Sequence, residues 1–385
     1  MLLNSARIAL GCIIPSLPAL VLDGAAASLY MVIDDRTAMF DRPKRIASIG
    51  KSAALEWAHA MILALRSLIF FMIVALAPIA GAELVRTVIP RSTLNYLSLP
   101  VAEVKGYFRD QGLENQAIVI PGSTAIAALV SGNVDYSGAG GTGMRAALRG
   151  APIKAVMFQT EKVTWYLLAA PDIQKISDLK GKRVAVGTIG DTQDTLITML
   201  VEREGISGRD ITRIAMPSRN TLNTILSLKT GAFSAAVVNA DESLLGEKEG
   251  LRTLAFVGDL FPYPFQGFVA TDKMIAERPN DIKRWLRAMA RALIFIRDKP
   301  EEAADIAMKK IPMGNVSRPL AIEGIRRFAK ALPDGVPGLP SAQGIKNLME
   351  FDVKLPLKIK EDVAPEKVMS LKLMREVKEE LESKR

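Results

Sequence analysis

The feature that most constrains this chain is a repeated grammar running from Glu83 to Asp241: short apolar runs, Gly- or Thr-rich loops, then stretches with helical apolar spacing. Leu84–Ile89 reads as a strand, Pro90–Asn95 as a polar loop, and Leu99–Asp110 as a helix stopped by Gly112. Ala117–Ile120 is a strand, after which Pro121-Gly122-Ser123-Thr124 opens a helix with a hydroxyl N-cap, ended by Gly132. Strand Val134–Ser137 leads into the loop Gly138–Gly143, helix Met144–Arg149 and strand Ile153–Gln159. Such a succession predicts an α/β chain with mostly parallel sheets, because parallel strands need crossover helices between them.

The same grammar begins again near Ile176. A basic turn, Leu179–Arg183, precedes strand Val184–Val186, the loop Gly187–Thr192 and helix Thr195–Glu204, stopped by Gly205. Strand Ile211–Ala215, a helix opened by Pro217–Thr221 and stopped by Gly231, and strand Ala235–Val238 follow, ending at Asn239-Ala240-Asp241. Ile118–Tyr136 and Ile214–Val237 share one order: strand, Pro, hydroxyl cap, apolar helix, Gly stop, strand. This pseudo-repeat predicts two similarly built lobes. Two apolar, aromatic stretches, Thr164–Ala170 and Gly267–Ala270, flank the second pass and predict two crossings between the lobes, with the second inserted in the first. Beyond them come an amphipathic helix, Asp281–Lys299, helices Glu301–Lys310 and Leu320–Leu332, a Pro- and Gly-rich loop Pro333–Pro340, and helices Ala342–Phe351 and Lys367–Lys384.

Composition removes much familiar chemistry. The single Cys12 excludes a disulfide framework, a CxxC metal site and an iron–sulfur cluster, and the single His59 excludes most catalytic triads and any pair of imidazoles. The charge of +9 is spread over the chain without a basic arm or interleaved aromatics, which predicts a solvated surface and no nucleic acid.

The N-terminal region reads as targeting. Within residues 61–82, Arg66 precedes an apolar core from Leu68 to Ala77 that closes on Ala80-Gly81-Ala82, the three-part pattern of a secretory signal peptide cleaved before Glu83. That core is short of the roughly 20 apolar residues a spanning helix needs. Residues 1–60 show no coherent domain, and the expectation is that the true start is Met61. The chain beyond Ala82 contains neither Cys nor His.

Four stretches carry a resemblance: Leu129–Val156, with its Gly-x-x-Asp strand, Gly/Thr loop and Gly-x-Pro-Ile-Lys; the basic turn in Ile176–Val186; Ala235–Asp241; and the closing helix in Val363–Leu381. In that order they resemble the periplasmic substrate-binding proteins of nitrate/sulfonate/taurine-type ABC importers and their relatives that bind thiamin pyrimidine precursors. The resemblance covers 83–385. It implies the α/β two-lobed type II periplasmic-binding-protein fold, with lobe 1 from 83–169 and 266–385, lobe 2 from 170–265, and a two-strand hinge. It implies a periplasmic monomer that captures a small polar or anionic organic solute (sulfonate, nitrate, carboxylate or pyrimidine-like) and hands it to a membrane permease, with no cofactor, no metal and no catalytic residue.

It also implies which loops line the site, because ligands in open α/β sheets sit beyond the carboxyl ends of the strands. These are Ser92 and Asn95 after the first strand; Gly140, Gly141 and Thr142; Thr188, Gly190, Asp191 and Thr192; and Asn239 and Asp241. Hydroxyls, amides and free helix N-termini there suit a small anion, and with aromatic walls they equally suit a neutral polar ring. Arg91, Arg145 and Arg219 are candidate anion partners, with surface solvation the simpler reading. Trp165, Tyr166, Tyr263 and Phe265 are candidate cleft walls, with core or hinge packing the simpler reading. A ligand sensor and a carboxylate-based enzyme on the same fold are the alternatives.

Overall fold

A computed structural model describes residues 61–63, 66, 81–120, 122–187, 189–190, 192–216, 221–313 and 316–383. The expectations for 1–60 and for most of the signal segment lie outside the described residues, as do Thr188, Asp191 and Arg219. No helix among the described residues is long and apolar enough to cross a membrane. Ala80–Arg385 forms one of the chain's two compact units.

Two five-stranded sheets organise this unit. The first has the order β2-β1-β3-β10-β4, built from β1 (Glu83–Ile89), β2 (Leu113–Val119), β3 (Tyr136–Ser137), β4 (Ile153–Thr160) and β10 (Phe265–Thr271). The second has the order β7-β6-β8-β5-β9, from β5 (Trp165–Ala169), β6 (Arg183–Val186), β7 (Thr212–Ala215), β8 (Ala235–Asn239) and β9 (Arg252–Phe256). In each sheet one strand, β10 or β5, runs against its neighbours, and the β1–β2, β1–β3, β6–β7 and β6–β8 pairs are parallel. The two sheets therefore have one topology, and the pseudo-repeat falls at equivalent places: β2–β3 around helix α2 (Gly122–Val130), and β7–β8 around helix α5 (Thr221–Lys229). The chain passes from sheet to sheet twice, between β4 and β5 and between β9 and β10.

The strands read as they do because of where they sit. All of β5 and nearly all of β4 are buried, so both are continuous apolar runs and not alternating ones. Helix α7 (Pro279–Asp298) buries one face against the first sheet, with Trp285 fully enclosed and stacked on Tyr136 at 4.1 Å between ring centroids. Helices α8 (Pro300–Lys310), α9 (Arg318–Ala329) and α11 (Lys372–Glu382) join that core. A second core runs unbroken from Val88 and Phe158 of the first sheet through Trp165 and Tyr263 to Val184 and Val237 of the second.

Several boundaries differ from the sequence expectation. The helix expected at Leu99–Asp110 is Ser98–Val104 (α1), broken at Gly106, whose φ of 74° leaves the helical region. The helix expected at Met144 begins at Gly140 (α3, Gly140–Leu148), so Gly140–Thr142 form a first turn and not a loop. Helix α4 (Thr192–Arg203) likewise starts three residues early, at Thr192, and α6 (Ala240–Lys248) starts inside the expected Asn239–Asp241 loop. Helix α10 (Ala342–Leu348) continues into a π-helical segment, Met349–Lys354, that the sequence reading did not anticipate.

Candidate functional site

A cavity of about 430 Å³ lies between the sheets. It is bounded by the ends of parallel strands: Pro90 and Arg91 after β1, Gly138 after β3, Gly187 after β6, Met216 after β7 and Asn239 at the end of β8. This is where the crossover geometry of both sheets leaves open space beyond the strand ends.

Six of the loop candidates meet there: Asn95, Gly140, Gly141, Thr142, Thr192 and Asn239. Three described ones do not. Arg91, Thr93, Asn95 and Tyr96 line the cleft around the short 3-10 turn Leu94–Tyr96, whereas Ser92 is not among the lining residues and Leu94 is buried in the core. Gly190 adopts a φ of 82° and donates its N–H to Asp194 Oδ2 at 2.8 Å, a turn that precedes α4. Asp241 falls in the first turn of α6, two residues after Asn239, and about 200° of helical rotation carries it away from the cleft. Glu242, one residue further, comes back to the cleft side and accepts the Asn239 N–H at 2.8 Å.

Asn95 and Asn239 face each other across the lobes, with Asn95 Nδ2 donating to Asn239 Oδ1 at 3.3 Å. Thr164 in the crossing donates to Asn95 Oδ1 at 2.9 Å, and Gln159 Nε2 donates to the Asn95 carbonyl at 3.0 Å. Gln266 donates to Thr164 at 3.3 Å from a left-handed backbone, φ 47°, a conformation that costs a non-glycine residue of order 1 kcal/mol and is held here by its neighbours. The crossings and the cleft thus share one hydrogen-bond network.

The walls are aromatic. Tyr96, Phe158, Trp165 and Phe265 line the cavity, the last two edge-to-face at 4.6 Å. Tyr166 does not; it packs on Phe256 and beneath Arg327, and burial pushes its phenol above the usual range. Tyr263 is in the core between the sheets. Among the described residues four charged side chains line the cleft, Arg91, Arg145, Glu242 and Asp352, and the formal charges of these four cancel. Arg145 donates to Asp352 Oδ1 at 2.8 Å and to its carbonyl at 2.9 Å, so its charge is already paired within the protein while the side chain stays partly exposed. Asp352, Tyr96 and Gln266 carry no local signal in the sequence that marks them as cleft residues, whereas Asn239-x-x-Glu242 has the capping-box spacing that places a helix start at that strand end.

Away from the cleft, α9 is tied to α6. Arg327 donates to Ser243 Oγ at 2.9 Å and to both Glu247 carboxylate oxygens at 3.0 and 2.8 Å. Burial raises the Glu247 carboxyl, but its bonds to neighbours, Arg327 foremost, outweigh that and hold it below the usual range. Arg327→Ala is expected to cost about 1–2 kcal/mol in urea unfolding, because a bidentate charge-assisted pair is lost and Glu247 is left half-buried. Glu247→Gln added to it should restore part of that loss; a double variant no more stable than Arg327→Ala would show that the pair matters only through packing.

Comparison with known proteins matches these features. The NMT1/THI5-like family pattern matches residues 93–303. A protein of Brucella abortus (strain 2308) named only as a binding protein is 26% identical over 218 residues, 54% of this chain and 66% of its own length. Riboflavin-binding protein RibY of Chloroflexus aurantiacus is 23% identical over 227 residues, 55% of this chain and 62% of its own. The chain thus spans just under two thirds of these relatives. The periplasmic aliphatic sulphonate binding protein SsuA of Escherichia coli shares the fold, with a TM-score of 0.59 at 16% identity over 75% of this chain and 92% of that one. So does the desulfurization enzyme DSZB, with a TM-score of 0.57 at 14% identity over 79% and 100%. Since the matched pattern takes in more than half of its length, with the two-lobed binding-protein architecture to go with it, the chain belongs to the NMT1/THI5-like family.

Proposed function

We propose that this protein is the extracytoplasmic solute-binding component of an ABC importer, which captures a small polar organic solute with a planar ring between its lobes and delivers it to a membrane permease. The observation that carries the reading is the cleft itself: about 430 Å³, set at the strand ends of two like sheets joined by two crossings, walled by Tyr96, Phe158, Trp165 and Phe265. That volume lies in the lower part of the range for small-molecule sites. Aromatic faces stack a ring, and Asn95, Thr93 and Asn239 offer hydrogen bonds to its edge. Closure around the ligand, with the lobes turning about the crossings, would form the surface a permease recognises. A periplasmic location and action as a monomer belong to the same proposal, as does the absence of chemistry on the ligand. The binding-protein relatives support it; the shared fold of DSZB is the reason to check the ligand for change.

The test is a thermal-shift and calorimetry panel on residues 83–385 with pyrimidines, flavins, aromatic carboxylates, alkanesulfonates, taurine and nitrate. A true ligand at 100 times its Kd adds about 2.7 kcal/mol of stability. The expected result is a hit among the ring compounds, recovered chemically unchanged, with affinity reduced about tenfold or more by Trp165→Ala. A folded protein that shifts with none of them, or that converts the hit, overturns the reading.

A further inference from the structure

Three distant parts of the chain converge on one carboxylate. Asp352 comes from the π-helical segment Met349–Lys354, Arg145 from α3, and Thr192 from the first turn of α4. Asp352 Oδ1 accepts from Arg145 Nη1 at 2.8 Å and from Thr192 Oγ1 at 2.6 Å. Although Asp352 lines the cleft, it is only 5% exposed.

Its second oxygen lies against the first turn of α3. Any side chain at Gly141 would run into Asp352 Oδ2, so only glycine lets the carboxylate come this close to the backbone. The N-cap of α3, Ala139, has no side chain to satisfy the free N–H groups of that turn, and the positive end of a nine-residue helix points there. Tyr263 adds a further sign of a built polar site. Its hydroxyl is buried without a hydrogen-bond partner, within electrostatic reach of Asp352 and Arg145. A guanidinium, a hydroxyl donor, a helix N-terminus and an unspent phenol surround one position, and the protein's own carboxylate fills it.

We propose that Asp352 is an internal anion lodged in the cleft's anion subsite, and that it sets the selectivity of the cleft against solutes presenting a sulfonate, carboxylate or nitrate group to the N-terminus of α3. The proposal rests on the binding-protein reading and deepens it. The positive groups at this end of the cleft are already neutralised, so a second anion would have to displace Asp352 or share its donors at the cost of like-charge repulsion. The end of the ligand facing α3 is therefore neutral or a hydrogen-bond donor.

Asp352 lies inside the π-helical segment Met349–Lys354, an irregularity of the kind frequent at functional sites. Arg145 then clamps both the Asp352 side chain and its carbonyl, which fixes the segment as well as the charge.

The test uses methanesulfonate as the probe and chloride at equal ionic strength as the control, read by calorimetry and thermal shift. The natural solute is not needed, so an empty ligand panel would leave the result intact. Wild type should show no binding beyond the chloride control. Asp352→Ala vacates the position and should bind methanesulfonate at least tenfold more tightly than wild type, and Arg145→Gln in that background should abolish the gain. Asp352→Asn, which keeps the volume and loses the charge, should gain severalfold and serves as the decisive arm should the alanine variant not fold. Wild type binding methanesulfonate as tightly as either variant, or folded variants gaining nothing, overturns the proposal.

Discussion

Replacing Gly140 by alanine is expected to lower the unfolding free energy by about 3 kcal/mol, the upper end of what overpacking costs, since the obstacle is backbone. Local arguments point the other way: alanine in a helical first turn is favoured over glycine by up to about 1 kcal/mol, partly through the unfolded state. Tertiary geometry reverses the sign. A Cβ at Gly140 would lie 2.6 Å from the carbonyl oxygen of Gly267, 2.7 Å from its Cα and 2.9 Å from its carbonyl carbon. That backbone cannot retreat, because β10 is hydrogen-bonded to β3 on one side and to β4 on the other. Gly267 is itself pressed on the Phe158 ring, where a Cβ would fall 2.7 Å from Cε1. Relief must come from α3 moving outward, which displaces Gly141 and Arg145 from the cleft and should lower ligand affinity as well. Gly335→Ala is the matched control: its nearest neighbour would be Glu382 Oε1 at 3.6 Å, so the change should stay within about 0.5 kcal/mol. Urea unfolding of both variants decides it; Gly140→Ala as stable as Gly335→Ala would mean that the approach of α3 to β10 is not tight.

Gly140 also shows where sequence reasoning reaches its limit. A Gly-Ala-Gly-Gly run reads as a loop, because glycine weakens a helix. Here glycine is demanded by a strand 127 residues away in sequence at Gly267, and no local rule contains that information. The strand-and-helix order was legible for the opposite reason. Apolar runs, hydroxyl caps and glycine stops act within a few residues, and the pseudo-repeat at Ile118–Tyr136 and Ile214–Val237 lands on equivalent strands of two sheets with one topology. The cleft was half legible. Asn95, Thr192 and Asn239 follow strand ends, which the parallel topology places at the cleft. Asp352 follows no strand end; it lies one residue beyond the helix expected at Ala342–Phe351 and meets Thr192 across 160 positions. Charge pairs of that separation leave no trace in one sequence. Asp241 departs from the expectation for a narrower reason: Asn239, at the strand end, already caps a helix, and the next two residues rotate with it.

That rotation has an energetic consequence at Asp241. The residue is half-buried as a whole, but its Oδ1 is out of reach of water and has no hydrogen-bond partner. Burial, and then the charge of Glu242, raise its pKa from 3.8 to about 6, against hydrogen bonds from its own N–H and that of Glu242. A carboxyl raised in the folded state binds more protons folded than unfolded between those two values. Its contribution is therefore least costly below the unfolded pKa, and stability is lost as the pH climbs from about 4 to 6. At about 1.4 kcal/mol per unit, the two-unit shift makes the ionised form cost about 3 kcal/mol above pH 6. Asp241→Asn has nothing to ionise. It is expected to be more stable than wild type by up to about 3 kcal/mol at pH 8, with the advantage shrinking towards zero near pH 3.5. Urea unfolding of both proteins across that range measures the difference, and a difference that does not change with pH would show that ionisation of Asp241 is not its cause. The same helix presents Asn239 and Glu242 to the cleft and Ser243 and Glu247 to Arg327. The charge that Asp241 gains above pH 6 thus strains the element on which both the cleft and the α6–α9 tie depend, and relieving it should tighten them together.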